Sequence, residues 1–210
     1  MAGTITPETF YRKQLVDLKS HLNSLLKQKL LLGWLRFGIL AATGLLIWLF
    51  AAHGVFLAAA IFSTGLAVFL FAVRKDLANK EAIHHRERLI NINEQELLYL
   101  QHQYTHQKDG YEFYKDEHPY AGDLDIFGRA SLYQYINRTN SQQGNHRLAN
   151  WLSAPADAAT IPARQQAVQE LMKTTNWRQE LQAHGSSAII TIATQQKMED
   201  WLKEGNQFVH

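Results

Sequence analysis

Two histidines four residues apart, His102 and His106, lie in a helix-prone stretch where they would share one face, the spacing at which helices present paired ligands to zinc. In the zinc-protease pattern the residue after the first histidine is a glutamate that acts as base. Here it is Gln103, whose amide cannot accept a proton, and no third ligand accompanies the pair, so a solvated or lightly packed pair is the favoured reading. Asp123 and Asp125, two apart in a segment read as extended, would point to the same side as a carboxylate pair does. They have no base, nucleophile or further ligand beside them and are read as loop and helix-entry residues. Arg138 and Arg147 could touch a phosphate backbone, but two arginines carry little weight and pairing at the surface or between helices is favoured. The chain contains no Gly-x-x-x-x-Gly-Lys-Ser/Thr, so the loop that cradles nucleotide phosphates is absent from these residues. No catalytic, cofactor-binding or metal-binding residue is assigned.

The elements that would hold such groups are dominated by one stretch. Residues 37–73, between Arg36 and Arg74, carry no ionisable group other than His53. The run divides at His53-Gly54, and at 1.5 Å per residue the second half spans roughly 28 Å, close to the hydrocarbon thickness of a bilayer. The first half reaches that length if Gly33 to Leu35 join it and Arg36 snorkels into the headgroups. The pattern predicts a transmembrane helical hairpin over residues 33–75. Lys27, Lys29 and Arg36 precede it, Arg74, Lys75 and Lys80 follow it, and the turn has no Lys or Arg. By the positive-inside rule both ends are cytoplasmic, giving a multi-pass protein of the inner membrane. A cleaved signal peptide ending near Ala51-Ala52 would need an unusually long leader, and a buried hairpin in a soluble helical domain is the other competing reading. His84-His85-Arg86-Glu87-Arg88, just past the exit, could meet anionic headgroups, though a solvated face is favoured.

Composition agrees with an all-α intracellular chain. There is no cysteine, which excludes disulfides and thiolate metal sites, and the net charge of +2 creates no global basic field demanding nucleic acid. Thr6-Pro7-Glu8 is a helix start, and Tyr11, Leu15, Leu18, Leu22 and Leu25 form an apolar stripe along a first cytoplasmic helix, residues 1–32. A second cytoplasmic helix, residues 76–109, carries Ile83, Ile90, Leu97 and Tyr104 at steps of seven, widened by Leu89 and Leu100, and Gly110 ends it. The two stripes are expected to pack on each other or on a partner subunit. A loop over 110–122 leads into a helical domain, 123–210. There Gly128 allows a turn and Ser131 starts a helix with Leu132, Tyr135 and Ile136 inward. Leu148, Trp151 and Leu152 form the next buried face, Pro155 stops that helix, and Ile161, Val168, Leu171 and Met172 line a third. Trp151, Trp177 and Trp201 are expected to fill helix interfaces. The β-branched run 188–194 is too short to separate strand from helix start.

The wording of this domain resembles the MutS family of mismatch-repair ATPases, at the start of the core or lever domain. Asp123-Leu124-Asp125-Ile126-Phe127-Gly128 is the acidic-apolar lead-in, and Ser131-Leu132 opens a helix that ends at Asn137-Arg138-Thr139. Gly144 follows, then Trp151-Leu152, Pro155, Ile161 and Arg164-Gln165-x-Ala167-Val168-x-Glu170-Leu171. With a hairpin upstream, the whole looks like the membrane-associated MutS-like proteins of some bacteria.

That resemblance implies ATP and Mg as cofactors of a complete protein, a homodimer, and DNA as a partner reached through the full-length protein. The residues themselves add the lipid bilayer. The Phe-x-Glu mismatch wedge of the repair sensors does not occur, since Tyr111-Glu112-Phe113 has the wrong order. The resemblance also implies a longer core than these residues supply, so the expected role is the amino-terminal anchoring and core portion of such an ATPase. The alternative is a non-enzymatic membrane scaffold.

Overall fold

A computed structural model describes residues 6–188 and 191–203. Among these residues the chain is helical and without strands, in accord with the all-α reading. Its helices are α1 (Pro7–Phe50), α2 (Val55–Leu100), α3 (Leu132–Ile136), α4 (Gln142–Ser153), α5 (Thr160–Met172), α6 (Thr175–Gly185) and α7 (Ile192–Lys203). The chain forms two compact units, residues 1–93 and 94–210.

In the first unit, α1 begins as its sequence demands. Thr6 accepts from the Thr9 N–H at 3.3 Å and Pro7 occupies the first turn, where a missing N–H costs nothing. The helix ends at Phe50, and a single 3-10 turn, Ala51–His53, leads to Gly54 at φ +106°, a conformation that strains any side chain. Gly65 of α2 meets Thr43 of α1 closely enough that a Cβ on Gly65 would overlap the Thr43 side chain. Small residues at such crossings let helices in lipid pack by van der Waals contact. The hydroxyls of this stretch are satisfied within their own helices: Thr43 donates to the Ile39 carbonyl (2.7 Å), Ser63 to Ala59 (2.8 Å) and Thr64 to Ala60 (2.9 Å). Arg36 and Asp76 form an ion pair at 3.0 Å below the apolar segments. Of the two stripes, Leu15, Leu18, Ile83, Leu89 and Ile90 are buried, and Leu22 and Leu25 are half-buried.

α2 ends at Leu100, well short of the end of the helix expected over residues 76–109. The Gln103 N–H bonds the Leu98 carbonyl (2.9 Å), the His102 N–H bonds that of Tyr99 (3.0 Å), and His102 sits at φ +58°. That is a Schellman closure with histidine where glycine is usual, which is why no glycine marks it in the sequence.

The second unit, which begins in the last turns of α2, is built on Ala121, Ile126, Phe127, Tyr133 and Ala149, with Phe113, Tyr114, Tyr120, Leu148 and Leu152 packed around them. The 110–122 stretch is not plain loop, for a 3-10 turn spans Tyr111–Phe113. Gly128 at φ +101° makes the expected turn, and Ser131 caps α3 by accepting from the Gln134 N–H (3.2 Å). The inward face of α3 differs from expectation, because Tyr133 and Gln134 are buried while Leu132, Tyr135 and Ile136 are each more than a third exposed. Helix α4 likewise buries Asn145 and Ala149; Leu148 and Leu152 are half-buried, but Trp151 is 48% exposed. Trp177 and Trp201 are exposed too, as are Ile161, Val168, Leu171 and Met172 on α5, rather than buried as expected. Asp157 holds the entry to α5: the N–H and hydroxyl of Thr160 both donate to its carboxylate at 2.7 Å, which keeps its pKa below the usual aspartate value. The run 188–194 falls partly outside the described residues, and its later part starts α7.

Candidate functional site

The residues that carry chemistry in the second unit converge on the segment from Tyr133 to Asn145. The amide oxygen of Asn145 accepts from the Tyr133 hydroxyl (2.9 Å), the Asn137 amide (2.9 Å) and the Thr139 hydroxyl (2.8 Å), while its own amide donates to the Ser141 carbonyl (3.0 Å). Asn137 in turn accepts from the Thr139 N–H (2.9 Å). One buried asparagine therefore ties α3, the Asn137-Arg138-Thr139 turn and α4 together, and each group finds the partner that burial requires. Gly144 is small for a local reason: a Cβ there would lie 3.0 Å from Thr139 Cβ and 3.1 Å from the Ser141 hydroxyl that caps α4.

Arg138 is held by a different set. Its guanidinium forks onto Glu96, at 2.6 Å from Nε to Oε1 and 3.2 Å from Nη2 to Oε2. It also donates to the Tyr135 carbonyl (2.7 Å) and lies 3.3 Å from the centre of the Tyr99 ring. Tyr99 stacks on Tyr104, and Tyr104 meets Tyr135 edge-on. Burial raises the Tyr99 pKa; the Arg138 charge pulls it down and the Glu96 charge pushes it up. A guanidinium committed in this way has no fork left for a phosphate. Arg147, by contrast, is exposed on α4.

Gln134 is also fully used. Its oxygen accepts from the Ala130 N–H (2.7 Å) and its amide donates to the carbonyls of Gln107 (2.6 Å) and Thr105 (3.2 Å). His118 donates from Nε2 to the Ser153 carbonyl (2.8 Å) and accepts at Nδ1 from the N–H of Ala121 (3.1 Å), a neutral tautomer bracing the end of α4.

The paired candidates of the sequence separate. His102 and His106 lie past the end of α2, so they share no helix face; the His102 ring stacks on Tyr135, and His106 Nε2 sits 2.7 Å from the Gln95 side-chain oxygen. Asp123 and Asp125 are exposed in a turn rather than an extended segment, with Asp125 at φ +46° and its carbonyl accepting from the Leu132 N–H (3.0 Å). Arg164 lies over the Trp151 ring at 4.4 Å, joining α5 to α4, and Gln165 is exposed. Beside the network, Lys108, Glu112, Phe113, Asn140, Gln142 and His146 line an open cleft of about 620 Å³. Sequence reasoning missed Tyr133, Gln134 and Asn145 as its organising residues. The available signal was polar side chains at core positions of short helices, which burial makes costly unless they are paired.

Tyr133 reports on this network through pH. Burial, reinforced by the Glu112 charge, pushes its pKa up to about 12, whereas a tyrosine in the unfolded chain ionises near 10. Because the folded value is the higher, the stabilisation is complete below pH 10 and is lost as pH rises from 10 to about 12. The loss is roughly 2–3 kcal/mol. Denaturant unfolding across that window should show the loss, and Tyr133→Phe should flatten it to the smaller slope left by Tyr99.

Residues 116–191, which contain this network, match the family model for MutS domain III, and the match supports a MutS-family relationship. No curated protein and no solved structure matches the chain.

Proposed function

We propose that this chain is the membrane-anchoring and core-domain portion of a MutS-like DNA mismatch repair ATPase. Nucleotide binding and hydrolysis would belong to a separate carboxy-terminal domain, and the hairpin would hold a dimeric clamp at the inner membrane. The observation that carries the reading is the MutS domain III match at residues 116–191 downstream of two helices long and apolar enough to cross a bilayer. The apolar side chains of those helices stay exposed, among them Trp34, Phe37, Trp48, Phe56 and Phe71. Water is a poor solvent for that surface and lipid a good one. The Lys and Arg residues flanking both ends of the hairpin support cytoplasmic termini.

Within this reading, the 210-residue chain positions rather than reacts. Arg138 spends its charge on Glu96, and the chain has no phosphate loop. The chain in bilayer nanodiscs is expected to remain with the membrane after carbonate washing, to hydrolyse no ATP, and to bind duplex DNA only weakly. Recovery from the carbonate supernatant would refute the anchor. Tight DNA binding that falls steeply with salt would refute a merely positioning core.

A second reading, a non-enzymatic scaffold, is favoured by the exposed Trp177 and Trp201, aromatic surface of the kind that partner proteins cover. ATP hydrolysis by a longer product of the same gene separates the two: it is expected under the first and absent under the second.

A further inference from the structure

Arg36 is the last basic residue before the apolar run of α1, and taken as the edge of a bilayer it leaves the two helices unequal. At 1.5 Å per residue, α1 rises about 21 Å from Arg36 to its end at Phe50, whereas α2 rises about 30 Å from Val55 to Lys75, a full hydrocarbon thickness. The ion pair accounts for the mismatch. Asp76 lies about 32 Å along α2 from the turn, so its backbone is about 10 Å farther from the turn than that of Arg36, yet Arg36 Nη1 is 3.0 Å from Asp76 Oδ2. A helical side chain leaves its backbone tilted toward the N-terminus of its own helix. In antiparallel helices the tilts are opposed: Arg36 leans away from the turn and Asp76 toward it, and together they span the offset.

The surface of α1 agrees. Trp34, Leu31 and Leu30 lie beyond Arg36 and are 74%, 69% and 68% exposed, with no lysine or arginine among them. This apolar face runs on without a break from the exposed Phe37 and Leu40, and it ends at the exposed Lys29. Lys29 is about 31 Å from the end of α1 at the turn, level with the exposed Arg74 and Lys75 on α2. Lys29, Arg74, Lys75 and the Arg36–Asp76 pair therefore form one charged ring about one hydrocarbon thickness from the turn. We propose that the acyl region of the bilayer covers α1 from Leu31 onward, and that Asp76 is the anchor that permits it. Its carboxylate holds the Arg36 charge at the headgroup plane while the Arg36 backbone sits in hydrocarbon. An arginine drawn to the edge in this way opposes insertion less than one left at depth. Trp34, about 6 Å inside the ring, then lies at the depth where membrane tryptophans concentrate. The inference rests on the membrane reading above.

The test uses the absence of native cysteine. The full chain in bilayer nanodiscs is spin-labelled at one introduced cysteine at a time: Trp34→Cys, Leu35→Cys, Gln28→Cys or Leu45→Cys, all at exposed positions. Collisions of the label with oxygen, which concentrates in lipid, are compared with collisions with a water-soluble nickel chelate. The oxygen-to-nickel ratio at positions 34 and 35 should exceed that at position 28 by at least about tenfold, as exclusion of a polar chelate from hydrocarbon requires. In the Leu35→Cys chain, Asp76→Leu should lower the ratio severalfold, and adding Arg36→Leu should restore it. A ratio at positions 34 and 35 equal to that at position 28 puts the edge back at Arg36 and overturns the inference. So does a label at position 34 that neither collider reaches, the result of cover by a second copy of the chain. An unchanged ratio in the Asp76→Leu chain removes Asp76 as the anchor. A wet label at position 45 refutes the membrane reading itself; a lipid-bathed position 45 with wet positions 34 and 35 refutes only the deeper edge.

Discussion

Lysine at both Leu45 and Leu66 is expected to drive the chain out of the membrane. Each leucine is near the middle of one apolar segment and about half exposed, so neither replacement disturbs a protein core. In lipid, each exchange trades a residue that favours insertion by a few tenths of a kcal/mol for one that opposes it by about 3 kcal/mol at mid-bilayer, or roughly 6–8 kcal/mol for the pair. Snorkelling cannot relieve a lysine so far from either interface. The double variant should move from the carbonate-resistant pellet to aggregates or supernatant, while Leu30→Lys and Leu77→Lys, somewhat more exposed but outside residues 37–73, should leave it in place. In water the expectation reverses: charging two wet leucines would raise solubility at little cost to folding. A double variant that stays membrane-integrated would remove the lipid-solvated hairpin from the account of this protein.

The parts of the structure that could be read in the sequence are those fixed by neighbours along the chain. The Thr6 cap, the proline after it, the break at His53-Gly54 and the Ser131 cap all act within four residues, and each appears where expected. Where partners are distant, the reading fails in a consistent way. The apolar steps of seven continue to Tyr104 and predict a helix through residue 109, yet the Tyr104 hydroxyl turns back to bond the Ala130 carbonyl at 3.2 Å, and the helix closes at a left-handed His102. Hydrophobicity points to Leu132, Tyr135 and Ile136 as the inner face of α3. Its true core residues, Tyr133 and Gln134, are tolerable inside only because Asn145, Thr105 and Gln107 answer them. Arg138, in the turn after α3, is placed by Glu96 on α2, far away in the chain. The tryptophans erred in the opposite sense: helical spacing shows that residues share a face, and it does not show that anything covers it.

Gly110→Ala is expected to cost the second unit roughly 3 kcal/mol, although the sequence offers this glycine only as a helix stop. It lies beyond the end of α2, buried at φ +69°, where it opens the Tyr111–Phe113 turn. Two costs add. A left-handed backbone is unfavourable by about 1–2 kcal/mol for a residue with a Cβ. The new methyl would also stand 2.6 Å from Cδ1 and 2.8 Å from Cε1 of Tyr133, well inside contact distance. That ring has nowhere to go: it is fully buried, its hydroxyl is bonded to Asn145, and Phe113 and Phe127 flank it at 5.8 and 5.6 Å. Overpacking of this kind adds about 1–3 kcal/mol. For a unit of this size the melting temperature should fall by about 10–25 °C. Gly122→Ala is the matched control, since its backbone is unstrained and the nearest atom to an added Cβ, the Tyr114 hydroxyl oxygen, is 3.3 Å away on an exposed turn. It should melt within a few degrees of the unaltered chain. If Gly110→Ala melts with it, Tyr133 is not the fixed post on which the Asn137-Arg138-Thr139 turn and α4 are hung, and the network around Asn145 must be looser than its distances imply.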